Sequence, residues 1–150
     1  MKVAVVGCGN VSASHFAALK DLPDAEIIAT VDIKKDRADT KAALFGAKAY
    51  YDFDEMLENE KPDCVHITTP HYLHTPMAIK ALKSGINVFL EKPCSISIKQ
   101  ADELYNAQLA SGKQLGVCFQ NRYNESSLKA KELIDSGEFG KVISSRAFVT

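Results

Sequence analysis

The sequence contains no tryptophan, only four cysteines, and no long apolar segment. The cysteines lie far apart and form no CxxC pair; they are Cys8, Cys64, Cys94 and Cys118. This spacing argues against a zinc-finger pattern and favours reduced, structural thiols over disulfides. We therefore expect a protein of the reducing cytoplasm with no bound metal.

Neither charge sign dominates the sequence, which has 18 basic and 19 acidic side chains and a formal net charge of -1. Because the lysines are also dispersed, we expect no nucleic-acid partner. No stretch approaches the ~20 apolar residues of a membrane span, and the apolar start Met1–Gly7 is too short for a signal-peptide core. We therefore expect no membrane contact. A hydrophobic fraction of 46% is ordinary for a soluble globular domain.

Short apolar segments alternate with helical segments over most of the chain. The predicted strands are Lys2–Val6, Glu26–Val31, Lys48–Tyr51, Asp63–Thr68, Asn87–Leu90 and Leu115–Phe119. The predicted helices are Ser12–Leu22, Asp36–Phe45, a short helix that opens at Asp52, Thr75–Ser84 and Ser97–Ala110. This alternation, with short connections, is typical of an α/β fold with a doubly wound parallel sheet of the Rossmann type.

The pattern changes after Asn121. An amphipathic helix is predicted over Glu125–Asp135, and a loosely alternating strand over Val142–Thr150. We expect residues 1–120 to form a dinucleotide-binding domain and residues 121–150 to be the truncated start of a second, α+β, substrate domain. In the alternative interpretation, the last strand closes onto the edge of the first sheet.

A glycine-rich turn lies between the first strand and the first helix, with the sequence Gly7-Cys8-Gly9-Asn10-Val11-Ser12. The first glycine permits a tight turn, and the second lets the backbone approach a pyrophosphate at the positive helix N-terminus. Ser12 replaces the third glycine of the usual pattern. Taken alone the turn is a weak signal, because any tight strand–helix connection can use two glycines.

Asp32 follows the second strand, at about the 20-residue spacing where an acid accepts hydrogen bonds from the adenosine ribose. Its alternative role is to cap the next helix, for which Asp36 is better placed. An acid at this position predicts NAD in preference to NADP, although Lys34, Lys35 and Arg37 could soften the preference. Methyltransferases carry a similar turn and acid, so this pair alone does not exclude them.

Two polar segments follow the fourth and fifth predicted strands: Thr68-Thr69-Pro70-His71-Tyr72-Leu73-His74 and Glu91-Lys92-Pro93. In open α/β sheets, ligands bind at the carboxyl ends of the strands. A family resemblance rests on these two segments, the glycine turn, His15 and Gln120-Asn121-Arg122-Tyr123. Over the whole chain, the sequence resembles the glucose–fructose oxidoreductase, inositol dehydrogenase and rhizopine-catabolism (Gfo/Idh/MocA) family.

The resemblance implies an oxidoreductase that transfers a hydride between a nicotinamide cofactor and a sugar, inositol or related polyol. It implies that Lys92 is the active-site lysine. The cofactor-binding residues are then expected to be Gly7, Gly9, Asn10, Val11, Asp32, Thr68, Thr69, Pro70, His74, Glu91, Lys92 and Arg122. Structural alternatives remain: a surface salt bridge between Lys92 and Glu91, a helix cap for His74, and packing of the domain hinge for Arg122.

The family's second domain supplies an aspartate and a histidine for acid–base work, and nothing after Tyr123 offers that pair. We therefore expect the 150-residue chain to bind dinucleotide without turnover, and the full-length protein to be a homo-oligomeric enzyme. The alternative is a stand-alone dinucleotide-binding regulatory module. A natural protein about 180 residues longer would favour the enzyme.

Overall fold

The computed structural model describes residues 1–146, which form two compact units divided between Cys118 and Phe119. The strands of the first unit are β1 (Lys2–Val6), β2 (Glu26–Val31), β3 (Lys48–Tyr50), β4 (Cys64–Ile67), β5 (Asn87–Glu91) and β6 (Leu115–Cys118). Its helices are α1 (Ser12–Lys20), α2 (Lys35–Phe45), α3 (Phe53–Glu60), α4 (His71–Lys83) and α5 (Ile98–Ser111). Strand and helix therefore alternate throughout the first unit, as predicted.

The six strands form one sheet in the order β3-β2-β1-β4-β5-β6, and every pair is parallel. The strand order reverses between β1 and β4, which is the switch point where sheets of this kind bind ligands. This confirms the prediction of a doubly wound α/β sheet. Because the strands are parallel, the loops that follow β1, β2, β4 and β5 all leave from the same edge.

The core lies on both faces of the sheet. On one face, Val6, Ile67 and Leu90 pack in a cluster with Ala78 and Leu82 of α4; all five are at most 1% exposed. A second cluster forms on the other face, and its buried residues are Val3, Val5, Cys8, Phe16, Leu19 and Ile27. Since β1 contributes to both clusters, its sequence is a continuous apolar run and does not alternate.

Helix boundaries differ from the prediction by more than one residue at two places. Helix α1 ends at Lys20, two residues earlier than predicted, so Leu22 lies beyond it and is half exposed. Helix α4 begins at His71, four residues earlier than predicted. Its N-cap is Pro70 and no side chain caps it, so the usual start signals are missing from this sequence. By contrast, α5 begins within one residue of its predicted start, and the Ser97 hydroxyl caps it by accepting from the Gln100 N–H at 3.2 Å.

The second unit contains a 3₁₀ helix (Gln120–Tyr123) and α6 (Glu125–Asp135), the latter with the predicted bounds. The predicted strand over Val142–Thr150 is wrong in its described part, since residues 142–146 form no strand; residues 147–150 lie outside the described chain. A strand needs the backbone of a partner, and no described segment pairs with this one. Within residues 1–146, no helix has the length and apolarity required to span a membrane.

Candidate functional site

The glycine turn is packed against the loop that follows β4. Gly7 has φ +92°, and a Cβ at this position would lie 2.9 Å from the backbone of Thr68 and Thr69. The Thr68 hydroxyl donates to the Gly7 carbonyl at 2.6 Å. Only glycine can adopt this backbone conformation and leave room for the close contact with the β4 loop. Gly7 therefore allows the turn after β1 to pack directly against that loop.

Gly9, in contrast, faces open space. A Cβ there would contact only a terminal nitrogen of Arg37, at 3.9 Å. Among the described contacts, none uses the backbone N–H groups of Gly9, Asn10 or Val11, and no side chain caps α1. Three free donors at the positive end of a helix form a receptor for an anion. The pyrophosphate of a dinucleotide fits this part of the turn.

Asp32, which directly follows β2, is hydrogen-bonded to the same turn. Its carboxylate accepts from the N–H of Cys8 and from the N–H of Lys34, both at 2.8 Å. Neither Asp32 nor Asp36 caps α2, whose N-cap is Lys34 without a side-chain bond. A carboxylate has about four acceptor positions, so two remain for ribose hydroxyls.

His74 joins the loops that follow β4 and β5. Its Nδ1 lies 2.7 Å from the Pro93 carbonyl oxygen, and its Nε2 lies 2.8 Å from the Thr69 carbonyl oxygen. The ring is fully buried. His74 is therefore neither a helix cap nor an exposed ligand in this structure, because both nitrogens are engaged by the two loops. Thr69 is half-buried, and Pro70 is exposed at the start of α4.

Glu91, the last residue of β5, is buried and fully engaged. One carboxylate oxygen lies 2.9 Å from His15 Nε2, and the other accepts from the Lys92 N–H at 3.2 Å. Burial acts to raise the pKa of Glu91, but hydrogen bonds from His15, the Lys92 N–H and Cys118 outweigh it, so the pKa is lowered. An ionised Glu91 thus fixes the backbone at Lys92.

Lys92 is exposed at the carboxyl edge of the sheet. The predicted alternative, a salt bridge to Glu91, is not formed, and no other ion pair of Lys92 occurs within the described residues. The Lys92–Pro93 peptide bond is cis. The ammonium group is therefore available to a ligand bound over this edge.

A polar network on one face of the sheet extends beyond the predicted residues. His66 on β4 places its Nδ1 3.1 Å from the Nδ1 of His15. Burial and the neighbouring His15 lower the pKa of His66 to about 4. The pairing of β4 with β5 explains the network. His66 pairs with Phe89, so Glu91, two residues further along β5, lies on the same face of the sheet as His66.

The thiols carry no disulfide. Burial raises the pKa of Cys8 to about 12 and that of Cys64 to about 11, so both are inert. Donor atoms of His15, Glu91 and Cys118 lie within 4.8 Å of one another, and these atom types can bind zinc. Hydrogen bonds among these groups already account for their proximity.

The structure brings most of the predicted site to one edge of the first unit. The glycine turn contacts Asp32 and Thr68, and His74 connects the β4 loop to the segment that carries Lys92. Arg122 lies in the 3₁₀ helix of the second unit, so its cofactor contact stays a prediction.

Comparison with known proteins agrees with this geometry. The model of the Gfo/Idh/MocA family, described as an oxidoreductase family with an NAD-binding Rossmann fold, matches residues 1–119. A myo-inositol 2-dehydrogenase from Thermotoga maritima is 30% identical over 142 residues, covering 94% of this chain and 42% of that protein.

Two solved structures are similar in fold and sequence. The WlbA dehydrogenase from Bordetella pertussis, in complex with NADH and UDP-GlcNAcA, has a TM-score of 0.90 at 29% identity, covering 93% of this chain and 43% of that chain. The scyllo-inositol dehydrogenase from Lactobacillus casei, with bound NAD(H) and scyllo-inositol, has a TM-score of 0.89 at 25% identity, covering 94% and 42%.

This chain spans about two fifths of the length of these relatives. The family match nevertheless covers the whole six-stranded sheet and all of its edge loops. The chain therefore belongs to the Gfo/Idh/MocA oxidoreductase family and contains its NAD-binding Rossmann fold.

Proposed function

We propose that the chain is the cofactor-binding part of a dehydrogenase that transfers a hydride between NAD and a sugar, inositol or related polyol. The observation that carries the proposal is the set of free N–H groups at Gly9, Asn10 and Val11, beside the carboxylate of Asp32. The inositol dehydrogenases among the relatives support the substrate class. Residues 121–150 then begin a second, substrate-binding domain, which agrees with the greater length of the relatives.

The residues divide between the two ends of the cofactor. The backbone N–H groups of Gly9, Asn10 and Val11 would hold the pyrophosphate, and Asp32 would accept from the adenosine ribose. Bound NAD supplies the hydride-accepting nicotinamide. Four residues of the β4 and β5 loops form the nicotinamide side, namely Thr68, Thr69, Pro70 and Lys92. His74 and Glu91 are buried behind these loops and hold them in place, and Arg122 is proposed as a further cofactor contact.

Lys92 is the proposed catalytic residue. Its ammonium group donates a hydrogen bond to the reacting oxygen of the substrate, and so assists movement of the hydroxyl proton. Glu91 keeps the lysine backbone in place by accepting its N–H. The aspartate and histidine for acid–base chemistry, which the family resemblance implies, lie in the second domain.

Calorimetric titration of the 150-residue chain tests the cofactor assignment. We expect NAD to bind, NADP to bind more weakly because its 2′-phosphate meets Asp32, and S-adenosylmethionine not to bind. Tighter binding of S-adenosylmethionine than of NAD would instead indicate a methyltransferase. The chain alone should form no NADH with inositols or aldoses, since it has no second wall to hold a substrate.

Turnover is tested in a protein of the relatives' full length. Replacing Lys92 with Ala should lower kcat about 10²–10⁴-fold, the usual contribution of a general acid–base group. Lys99→Ala on the exposed face of α5 is the matched control and should leave kcat unchanged. If the full-length protein binds NAD but oxidises no polyol or sugar, it is a dinucleotide-binding regulatory module.

We also propose a cytoplasmic setting and a homo-oligomeric full-length protein. The four free cysteines support a reducing compartment. Light scattering of the full-length protein measures the oligomeric state, and a monomer at micromolar concentration would contradict the second proposal.

A further inference from the structure

The contacts of His74 bear on which of its ring nitrogens carry hydrogens. Both ring nitrogens face carbonyl oxygens, Nδ1 at 2.7 Å from Pro93 and Nε2 at 2.8 Å from Thr69. A carbonyl oxygen only accepts hydrogen bonds, so each nitrogen must carry a hydrogen. Neutral imidazole has one N–H group, and only the imidazolium form has two.

We infer that His74 is held as a buried imidazolium that ties the β4 loop to the β5 loop and thereby positions Lys92. The role of His74 in positioning Lys92 rests on the proposed function, whereas the protonation state of His74 does not. His74 is a positioning residue, because the Pro93 carbonyl that it holds directly follows Lys92 in the chain.

The surroundings of His74 show that the link is built into the fold. The ring is 0% exposed, so water cannot replace either bond. The adjacent Thr75 donates to the Cys94 carbonyl at 3.0 Å, which gives α4 a second bond to the same loop. A neutral ring would place a nitrogen lone pair against a carbonyl oxygen at less than 3 Å, and one loop would have to move away.

Two effects oppose the charge. The ring is buried, and it lies in the first turn of α4, where the helix dipole disfavours a cation. The two short charge-assisted bonds must outweigh both effects. The His71 ring lies beside it, with the two ring centroids 5.6 Å apart and the ring planes inclined at 60°. The described structure gives His74 no carboxylate partner, so the two carbonyl dipoles stabilise the cation.

Nitrogen NMR of the histidine side chains tests the protonation state directly. The chain has only four histidines, and His74→Gln assigns the signal by its loss. At neutral pH we expect both His74 nitrogens to show shifts typical of protonated nitrogen, each coupled to its own hydrogen. A pyridine-like shift for either nitrogen would establish a neutral tautomer and overturn the inference.

The positioning role is tested by NAD affinity and by the Lys92 signals. His74→Gln should weaken NAD binding about tenfold, because the loops are no longer preorganised, and should shift the Lys92 amide signal. The exposed Lys83→Gln, at the far end of α4, is the control and should change neither. Unchanged affinity and an unchanged Lys92 signal in folded His74→Gln would refute positioning. If the wild type binds no NAD, the proposed function fails, while the nitrogen spectrum and the Lys92 shift still decide the inference.

Discussion

The two units of the chain differ in how much of their structure is paired and buried. Every strand of the first unit is paired, and its core residues pack on both faces of the sheet. The second unit contains α6, none of whose residues is buried, yet the sequence predicted the bounds of that helix. The difference follows from the range of the hydrogen bonds: a helix satisfies its backbone locally, whereas a strand depends on a partner.

The largest expected effect is the difference in stability between alanine substitutions at Gly7 and Gly137, which both have positive φ. Gly7→Ala in the first unit meets the backbone of Thr68 and Thr69 at 2.9 Å. Backbone strain and overpacking together should destabilise the first unit by about 4 kcal/mol and abolish NAD binding. Gly137→Ala in the second unit has φ +70° but no atom within 4 Å. Urea unfolding, followed by a signal of the sheet, should show no shift for Gly137→Ala; equal shifts for both variants would contradict the comparison.

Two leucines test the difference in burial. Leu90→Ala removes a 0% exposed side chain from the core of the sheet, whereas Leu128→Ala removes one of α6 that is 51% exposed. We expect losses of about 3 kcal/mol for Leu90→Ala and less than about 0.5 kcal/mol for Leu128→Ala. A loss above 1 kcal/mol for Leu128→Ala, measured by the same unfolding curves, would show that α6 is packed in solution.

The pH dependence of stability should come from the first unit. The folded pKa of His66 is lowered from 6.5 to about 4, so between these values the unfolded chain binds the extra proton. His66 therefore contributes a loss of stability as pH falls, of about 2 kcal/mol between pH 7 and pH 5. Glu91 also has a lowered pKa, but its contribution is lost only at more acidic pH. His66→Gln should flatten the curve between pH 7 and pH 5, and an unchanged slope would assign it to another group.

The smallest effect concerns cofactor choice. Asp32→Ala should narrow the preference for NAD over NADP about tenfold, which corresponds to about 1.4 kcal/mol. Arg122→Ala, in the second unit, is the paired variant, and we expect it to preserve the preference because the proposed contact with the adenosine ribose comes from Asp32. Calorimetry with NAD and NADP measures the ratio of the two affinities for each variant. A larger change from Arg122→Ala than from Asp32→Ala would reverse the assignment.

The parts of the fold that could be predicted are those encoded locally. Buried parallel strands appear as apolar runs, and Gly46 and Gly112 end their helices in the left-handed conformation that glycine favours. The start of α4 was missed because its first turn carries no capping side chain. The strand predicted over Val142–Thr150 failed in its described part because its apolar pattern says nothing about a partner.

The site was predictable as a set of loops but not as a set of contacts. Strand order is implicit in the fold, and it brings the glycine turn beside the β4 loop. The roles of His15 and His66 depend on which face of the sheet they share with Glu91, which required the register. The burial of His74 likewise follows from the early start of α4, which no sequence signal marked.

The most direct test of the account is an amide NMR titration of the 150-residue chain with NAD. Binding at the carboxyl edge of the sheet should produce saturable shifts at Gly9, Asn10, Asp32 and Lys92, and none at Asp63 at the opposite edge. An absence of saturable shifts at millimolar NAD, or shifts confined to the opposite edge, would contradict the claim that this edge of the first unit is the cofactor site.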